Sequence, residues 1–369
     1  MAERLSRAVE RTHRGLAAFS GVSAPVKAYG YGGDYITSYA IGDPPQGVVA
    51  IVDSMSDLIW TQSSTCSPKC SPEQLHYYNT SRSRTDHPVP CDHSMCAAGY
   101  ETQPCMGGSG GNDDTGTCPV RATSYGEVAG VLGLGRGALS LVSQVGARRF
   151  SYCLTRFTDD VDSSPLFVGS SAGLSGDAPV TTMSFVVNPP DEPFSTFYYL
   201  PLGLMGFEGR EAVLPLPMDA FGIVRRKGVE WAGGVVIGTN SAVTYLIDVA
   251  YRALTHELSW LLGSSLVQSP VDGLEICVAR EDVSGIVPTL VLHFGAMYGG
   301  PELVVPPENY WGPVDSETSC MLVMNSGTIG TLPWNETTVI GTLMQQNRHF
   351  LFDLENEMLS FQTADCTSI

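Results

Sequence analysis

Short apolar runs punctuated by glycine and proline dominate the chain from Tyr35 onward. They include YITSYAIG (35–42), VVAIVD (48–53), LIWT (58–61), FYYLPLGLMGF (197–207), GVVIG (234–238), TLVLHF (289–294) and HFLFDL (349–354). Their shortness, their β-branched and aromatic residues and their turn-residue borders predict strands. Helical periodicity is confined to two segments. In DVAYRALTHELSWLLGSS (248–265), Tyr251, Leu254, Leu258 and Leu261 recur at helical spacing behind Asp248, the expected cap. ALSLVSQVG (138–146) predicts a shorter helix. Residues 62–118 are polar, rich in cysteine and aperiodic, which predicts an insertion loop. GSSAGLSGDAP (169–179) and NPPDEP (188–193) flank an expected connection between two halves, with the boundary near residue 180.

A weak internal repeat sets the expected architecture. Ile51-Val52-Asp53-Ser54-Met55-Ser56 precedes Leu58-Ile59-Trp60, and Val236-Ile237-Gly238-Thr239-Asn240-Ser241 precedes Val243-Thr244-Tyr245. Each copy has two aliphatics, a variable position, a hydroxyl, another variable position and a serine. Each is followed later by an apolar-apolar-glycine element, Val131-Leu132-Gly133 in the first half and Val339-Ile340-Gly341 in the second. The repetition predicts two lobes related by a pseudo-twofold axis, with a cleft between them where a ligand would sit.

Composition narrows the function classes. A hydrophobic share of 43%, a charged share of 16%, 40 glycines and 24 prolines describe a folded, turn-rich β protein, because a disordered chain carries more charge and fewer aromatics. The formal net charge of −18 excludes nucleic acid and anionic membranes as partners, since phosphate binding needs clustered Lys and Arg. It also suits an acidic compartment, where partial protonation of carboxylates relieves the repulsion. No apolar run is long enough to cross a membrane as a helix.

Of the 10 cysteines, Cys66, Cys70, Cys91, Cys96, Cys105 and Cys118 crowd into the aperiodic loop. Their spacing lacks a paired zinc-knuckle pattern. A disulfide-stapled loop accounts for them better than a metal held by Cys91, His93 and Cys96, so neither metal nor cofactor is expected. Sequons at Asn79 and Asn335 agree with passage through the secretory route. Yet residues 1–20 carry Arg4, Arg7, Arg11 and Arg14 and no apolar stretch of signal-peptide length. They read as a basic amphipathic helix. Disulfides without a signal lead to the expectation that the N-terminus is missing.

The ordered blocks resemble the pepsin-like aspartic proteases, and within them the plant nepenthesin-like branch. The resemblance runs from about Tyr35 to Cys366. It rests on YITSYAIGDPPQ, DLIWTQ (57–62), GVLGLGRGALSLVSQ (130–144), FSYCL (150–154), TFYYLPL (196–202), GGVVIGTNSAVTY (233–245), VPTLVLHF (287–294), PPENY (306–310) and VIGTLMQQNRHFLFDLENEMLSF (339–361). LSRAVERTHRGLA is similar to the propeptide segment of such enzymes. The resemblance implies a mostly β, two-lobed pepsin-like fold with pseudo-twofold lobes, a central cleft and a few short helices. Its parts would be a propeptide-like segment (1–30), an N-terminal lobe (31–180) and a C-terminal lobe (181–369). It implies a monomer, extracellular or vacuolar, that takes a peptide or protein ligand in the cleft.

In this family each lobe offers an Asp-Thr/Ser-Gly-Thr/Ser loop, and the two carboxylates share a proton and divide the acid and base roles. The resemblance places Asp53 at the first catalytic position, with Ser54, Met55 and Ser56 completing its loop. The second loop is Thr239, Asn240 and Ser241 behind Gly238, which stands where the second aspartate belongs. Met55 replaces a glycine that lets the backbone turn tightly, and Asn240 replaces another, Asn being tolerant of unusual backbone angles. Ser54 and Thr239 lie where the family's hydroxyls brace the loops. Tyr125 matches the tyrosine of the family's flap hairpin, but the chain runs from Gly126 straight into Glu127-Val128-Ala129-Gly130. That omits on the order of forty residues, several strands' worth. The resemblance also implies the pairs Cys153–Cys366, Cys277–Cys320, Cys91–Cys118 and Cys96–Cys105. Ser63 replaces one family cysteine, and Cys66 and Cys70 are left either bridged to each other or reduced.

The expected function is therefore that of an aspartic endopeptidase by descent, inactive or severely impaired because Gly238 lacks a carboxylate. The alternatives are a non-catalytic binding or glycosidase-inhibitor-like protein of the same fold, or a non-functional gene product.

Overall fold

The structure, a computed structural model, describes residues 21–29, 33–64, 77–87, 130–159, 163–226, 231–295 and 299–369. The N-terminal segment 1–20, Tyr125, Gly126 and the loop cysteines Cys66, Cys70, Cys91, Cys96, Cys105 and Cys118 lie outside the described residues.

The fold is mostly β and two-lobed, of the pepsin-like kind. Its spine is a ten-stranded sheet in the order Ile59–Thr61, Gly130–Gly133, Gln46–Asp53, Asp34–Ile41, Val22–Tyr29, Ser164–Val168, Arg149–Cys153, Arg348–Asp353, Met358–Thr363 and Thr181–Ser184. Two strands from the end of the chain thus sit among strands from its first half. Gln46–Asp53 is buried from Ala50 through Asp53 because it lies between an antiparallel neighbour, Asp34–Ile41, and a parallel one, Gly130–Gly133. Enclosure on both sides explains why its sequence is a continuous apolar run rather than an alternating one. A second sheet, ordered Val235–Ile237, Thr338–Ile340, Thr244–Leu246 and Val323–Asn325, repeats the parallel pairing in the second half. There Val236 stands opposite Val339, as Ile51 stands opposite Val131 in the first half. The apolar-apolar-glycine repeats are the strands that lie against the two loop-bearing strands.

The core joins strands near the C-terminal end to the middle of the chain. Phe150 and Phe352 stack at 4.4 Å between ring centroids, and Tyr152, Tyr198 and Phe350 pack around them. Cys153 is bonded to Cys366 and Cys277 to Cys320. The first bond fastens the C-terminal end to the strand Arg149–Cys153.

Two expected elements need correction. The run 197–207 is not one strand: the strand is Leu202–Phe207. Pro201 has no N–H to give a ladder, so the preceding residues make only an isolated bridge to Val235–Ile237, with Leu200 N–H donating to Val235 O at 2.8 Å. Asp248 is not the cap of the long helix Asp248–Leu262. Ile247 holds that position and Asp248 is the first helical residue. Its carboxylate accepts from Asn325 Nδ2 at 2.8 Å and from Arg252 Nε at 2.9 Å. Leu141–Gln144 forms the expected shorter helix, capped by Ser140. Among the described residues no helix is long and apolar enough to cross a membrane.

Candidate functional site

Each loop of the internal repeat leaves the end of a buried strand, and the two meet through a reciprocal set of hydrogen bonds. Asp53 closes the strand Gln46–Asp53 and its carbonyl accepts from Leu134 N–H at 2.8 Å. Gly238 follows Val235–Ile237 and its N–H donates to Ile340 O at 3.1 Å. Between them lie Ser54 and Thr239, both without solvent exposure. Ser54 N–H donates to Thr239 Oγ1 at 2.9 Å, and Thr239 N–H donates to Ser54 Oγ at 3.2 Å. Each hydroxyl then donates to the strand of the other half: Ser54 Oγ to Ile237 O at 3.2 Å, Thr239 Oγ1 to Val52 O at 2.7 Å. Both N–H groups and both hydroxyls of the pair are thus satisfied across the junction, so the brace is reciprocal.

Asp53 sits at this junction with only 8% of its surface exposed, and its Oδ1 accepts from Met55 N–H at 2.8 Å. Ser56 Oγ accepts from Leu58 N–H at 3.4 Å and Ser241 Oγ donates to Val243 O at 2.8 Å. Both serines tighten their own loops. Asn240 is exposed. The expected backbone demands at Met55 and Asn240 do not arise. The non-glycine residues with positive φ are Asn347 and Glu357, so neither substituted position takes a left-handed conformation. The turns close with ordinary backbone angles, and methionine costs space rather than strain.

Gly238 has no carboxylate to offer Asp53, and the space for a side chain there is taken. A Cβ built on Gly238 would collide with Met55 Sδ and lie 3.2 Å from Met55 Cγ and 3.3 Å from Asn240 Oδ1. Met55 is half-buried and packs against a cluster of Phe194, Phe197, Tyr199, Val236 and Val339.

Two supporting residues escaped the sequence reading. Gln345, fully buried at the end of the short helix Thr342–Gln345, donates to Gly238 O at 2.8 Å and Ile340 O at 2.9 Å. It accepts from Tyr152 OH at 2.6 Å. Tyr198 OH donates to Leu134 O at 2.7 Å, behind the first loop. Burial pushes the Tyr152 and Tyr198 hydroxyls well above the usual tyrosine range, so both remain donors. A glutamine directly after the apolar LM pair of VIGTLMQQ was the available signal, since an amide in an apolar block needs partners.

Tyr125 and the cysteine-rich loop cannot be placed against this junction, being outside the described residues. Trp60 is half-buried in Ile59–Thr61, with Val131 opposite. Asn79 lies in a turn, its Oδ1 accepting from Ser81 N–H at 3.1 Å. Asn335 lies in the turn Trp334–Glu336. Among the described residues no group of three or more His, Cys, Asp or Glu is arranged to hold a metal ion. A cavity of 560 Å³, lined in part by Val187, Pro190, Met218, Phe221 and Trp231, contains none of the loop residues and so is not the junction.

Comparisons with known proteins agree with this geometry. The family model described as "Xylanase inhibitor N-terminal" matches residues 35–127 and 115–170, and "Xylanase inhibitor C-terminal" matches 197–363. Aspartic proteinase nepenthesin-1 of Nepenthes gracilis is 29% identical, over 99% of this chain and 85% of its own length. Nepenthesin-2 of the same plant is 27% identical, over 99% and 86%. Among solved structures, that of edgp superposes with a TM-score of 0.72 at 18% identity, covering 95% of this chain and 96% of its own. Basic 7S globulin from soybean gives 0.68 at 17% identity, covering 94% and 99%. At such identities the two structures establish the fold.

Proposed function

This chain belongs to the nepenthesin-like branch of the pepsin-like plant aspartic proteases, and we propose that it holds a peptide or protein segment in its cleft without cutting it. One observation supports the reading: the brace between the loops is whole, while Gly238, which the family resemblance puts at the second aspartate's position, has no carboxylate and has Met55 laid over it. Peptide hydrolysis in this family needs one carboxylate to take a proton from water while another gives one to the carbonyl. Asp53 can perform one of these acts. Losing one member of a pair that works as a unit costs far more than a peripheral contact.

The test is purified protein on denatured haemoglobin or casein, at about pH 3–4 where a carboxylate pair shares its proton. No cleavage above background is expected. Cleavage that pepstatin blocks and Asp53→Ala abolishes would overturn the proposal.

The matched family models favour a particular kind of binder, because both are described as xylanase inhibitor domains. A monomer that inhibits a glycosidase is thus the more specific reading, and a fold alone does not decide it. Measured binding to plant and microbial glycosidases tests it, and absence of binding at micromolar concentration counts against it. The two disulfides support an oxidising location, outside the cell or in the vacuole.

A further inference from the structure

Two of the three departures from the family's loop pattern, Met55 in the first half and Gly238 in the second, meet in space. Gly238 does not adopt a left-handed conformation, so its own backbone would accept any residue. What demands glycine there is Met55, whose Sδ and Cγ fill the place of a Cβ. The main chain at 238 is poorly placed to retreat. Its N–H donates to Ile340 O at 3.1 Å, its carbonyl accepts from Gln345 at 2.8 Å, and the next N–H donates to Ser54 Oγ at 3.2 Å. Met55 comes from the first half, whereas the cluster it packs on, Phe194, Phe197, Tyr199, Val236 and Val339, lies wholly after residue 190.

We propose that Met55 is a latch: its thioether occupies the volume of the missing second side chain and ties the two loops together by apolar contact. Methionine in this conformation and a side chain at 238 cannot share the space, so a Cβ at 238 requires the flexible thioether to swing aside. The loss of the acid and the gain of bulk are then one coupled replacement. An acid restored at 238 alone would meet the thioether and stand desolvated against it, so that Met55 must leave its cluster before the carboxylate can face Asp53. Methionine suits the role because an unbranched, flexible chain fills an irregular gap.

The test is a cycle of Met55→Gly, Gly238→Asp and the double variant, read by thermal midpoint. Each single change is expected to lower the midpoint, and the double variant to melt clearly above the sum of the two shifts, as residues in contact are non-additive. If Gly238→Asp yields no folded protein, Gly238→Ala in the same cycle reads the same exclusion. A second readout follows the 13C-labelled methionine methyl groups. The signal assigned to Met55 by its loss in Met55→Gly should move in Gly238→Ala, as the side chain swings out. Additive midpoints, or an unmoved methyl signal, overturn the latch. Neither result touches the question of activity: cleavage by the natural protein would remove the proposed function and leave the latch standing.

Discussion

At the scale of single residues, the brace between the loops is made without the Asp53 carboxylate. Ser54 and Thr239 satisfy each other and the carbonyls of Ile237 and Val52, with no call on a second carboxylate. Thr239→Val keeps the shape and removes the hydroxyl, leaving Ser54 N–H and Val52 O buried and unpaired. The expected loss is about 2–3 kcal/mol by urea denaturation; a change within about 0.5 kcal/mol would mean that the brace is not holding the loops. His349 makes a second residue-scale case. It is 1% exposed, neither ring nitrogen finds a hydrogen-bond partner, and burial holds its basicity below the ordinary value of 6.5. The unfolded chain therefore takes up a proton at this residue before the folded one does. The contribution is fully present above pH 6.5 and is lost as pH falls toward the depressed folded value. A single group changes stability by at most about 1.4 kcal/mol per pH unit. Urea midpoints compared from neutral pH downward should fall further for the natural protein than for His349→Leu, which lacks the titrating ring. Parallel profiles would refute the assignment.

The long helix and the strand run before Leu202 show what elements owe to their ends. Asp248–Leu262 buries Tyr251, Leu254 and Leu258 as its periodicity foretold, together with Ala250 and Leu262, while the expected Leu261 is only half-buried. Its start is another matter. Asp248 stands inside the first turn, where its carboxylate faces the helix's positive end and ties Asn325 and Arg252 to it. Those hydrogen bonds, Asn325 first, hold its carboxyl below the usual carboxylate pKa. Asp248→Ala is expected to cost about 0.5–1 kcal/mol, seen as a lower urea midpoint at neutral pH. The difference should shrink in acid, where the natural carboxyl is also protonated. A cap role would have given the larger loss typical of a removed N-cap, up to about 2 kcal/mol.

The whole molecule is closed by its own ends. Arg348–Asp353 pairs with Arg149–Cys153, Met358–Thr363 pairs with Thr181–Ser184, and Cys366 is bonded to Cys153 across 213 residues of chain. A cross-link over so long a loop removes much freedom from the unfolded state. Cys153→Ala/Cys366→Ala should lose about 3–5 kcal/mol by denaturant titration, with both sheets unfolding together. Loss of the C-terminal pairing alone, with the rest intact, would show that the bond fastens only the tail.

Much of this was present in the chain before it folded. The strands at 48–53, 289–294 and 349–354 were legible because composition and turn borders act locally. The doubled Ile-Val-Asp-Ser and Val-Ile-Gly-Thr loops were legible because the order of residue types repeats even though Asp53 and Gly238 differ. Missed were the break at Pro201, the true start of the long helix and the part played by Gln345. Each of these turns on a partner distant in sequence. Above all, the linear chain offered Met55 and Gly238 as two separate oddities, one of bulk and one of charge. Only the meeting of loops 185 residues apart, Ser54 on Thr239, brings the thioether of one into the space left by the other, because steric exclusion exists between neighbours in space and not along the chain.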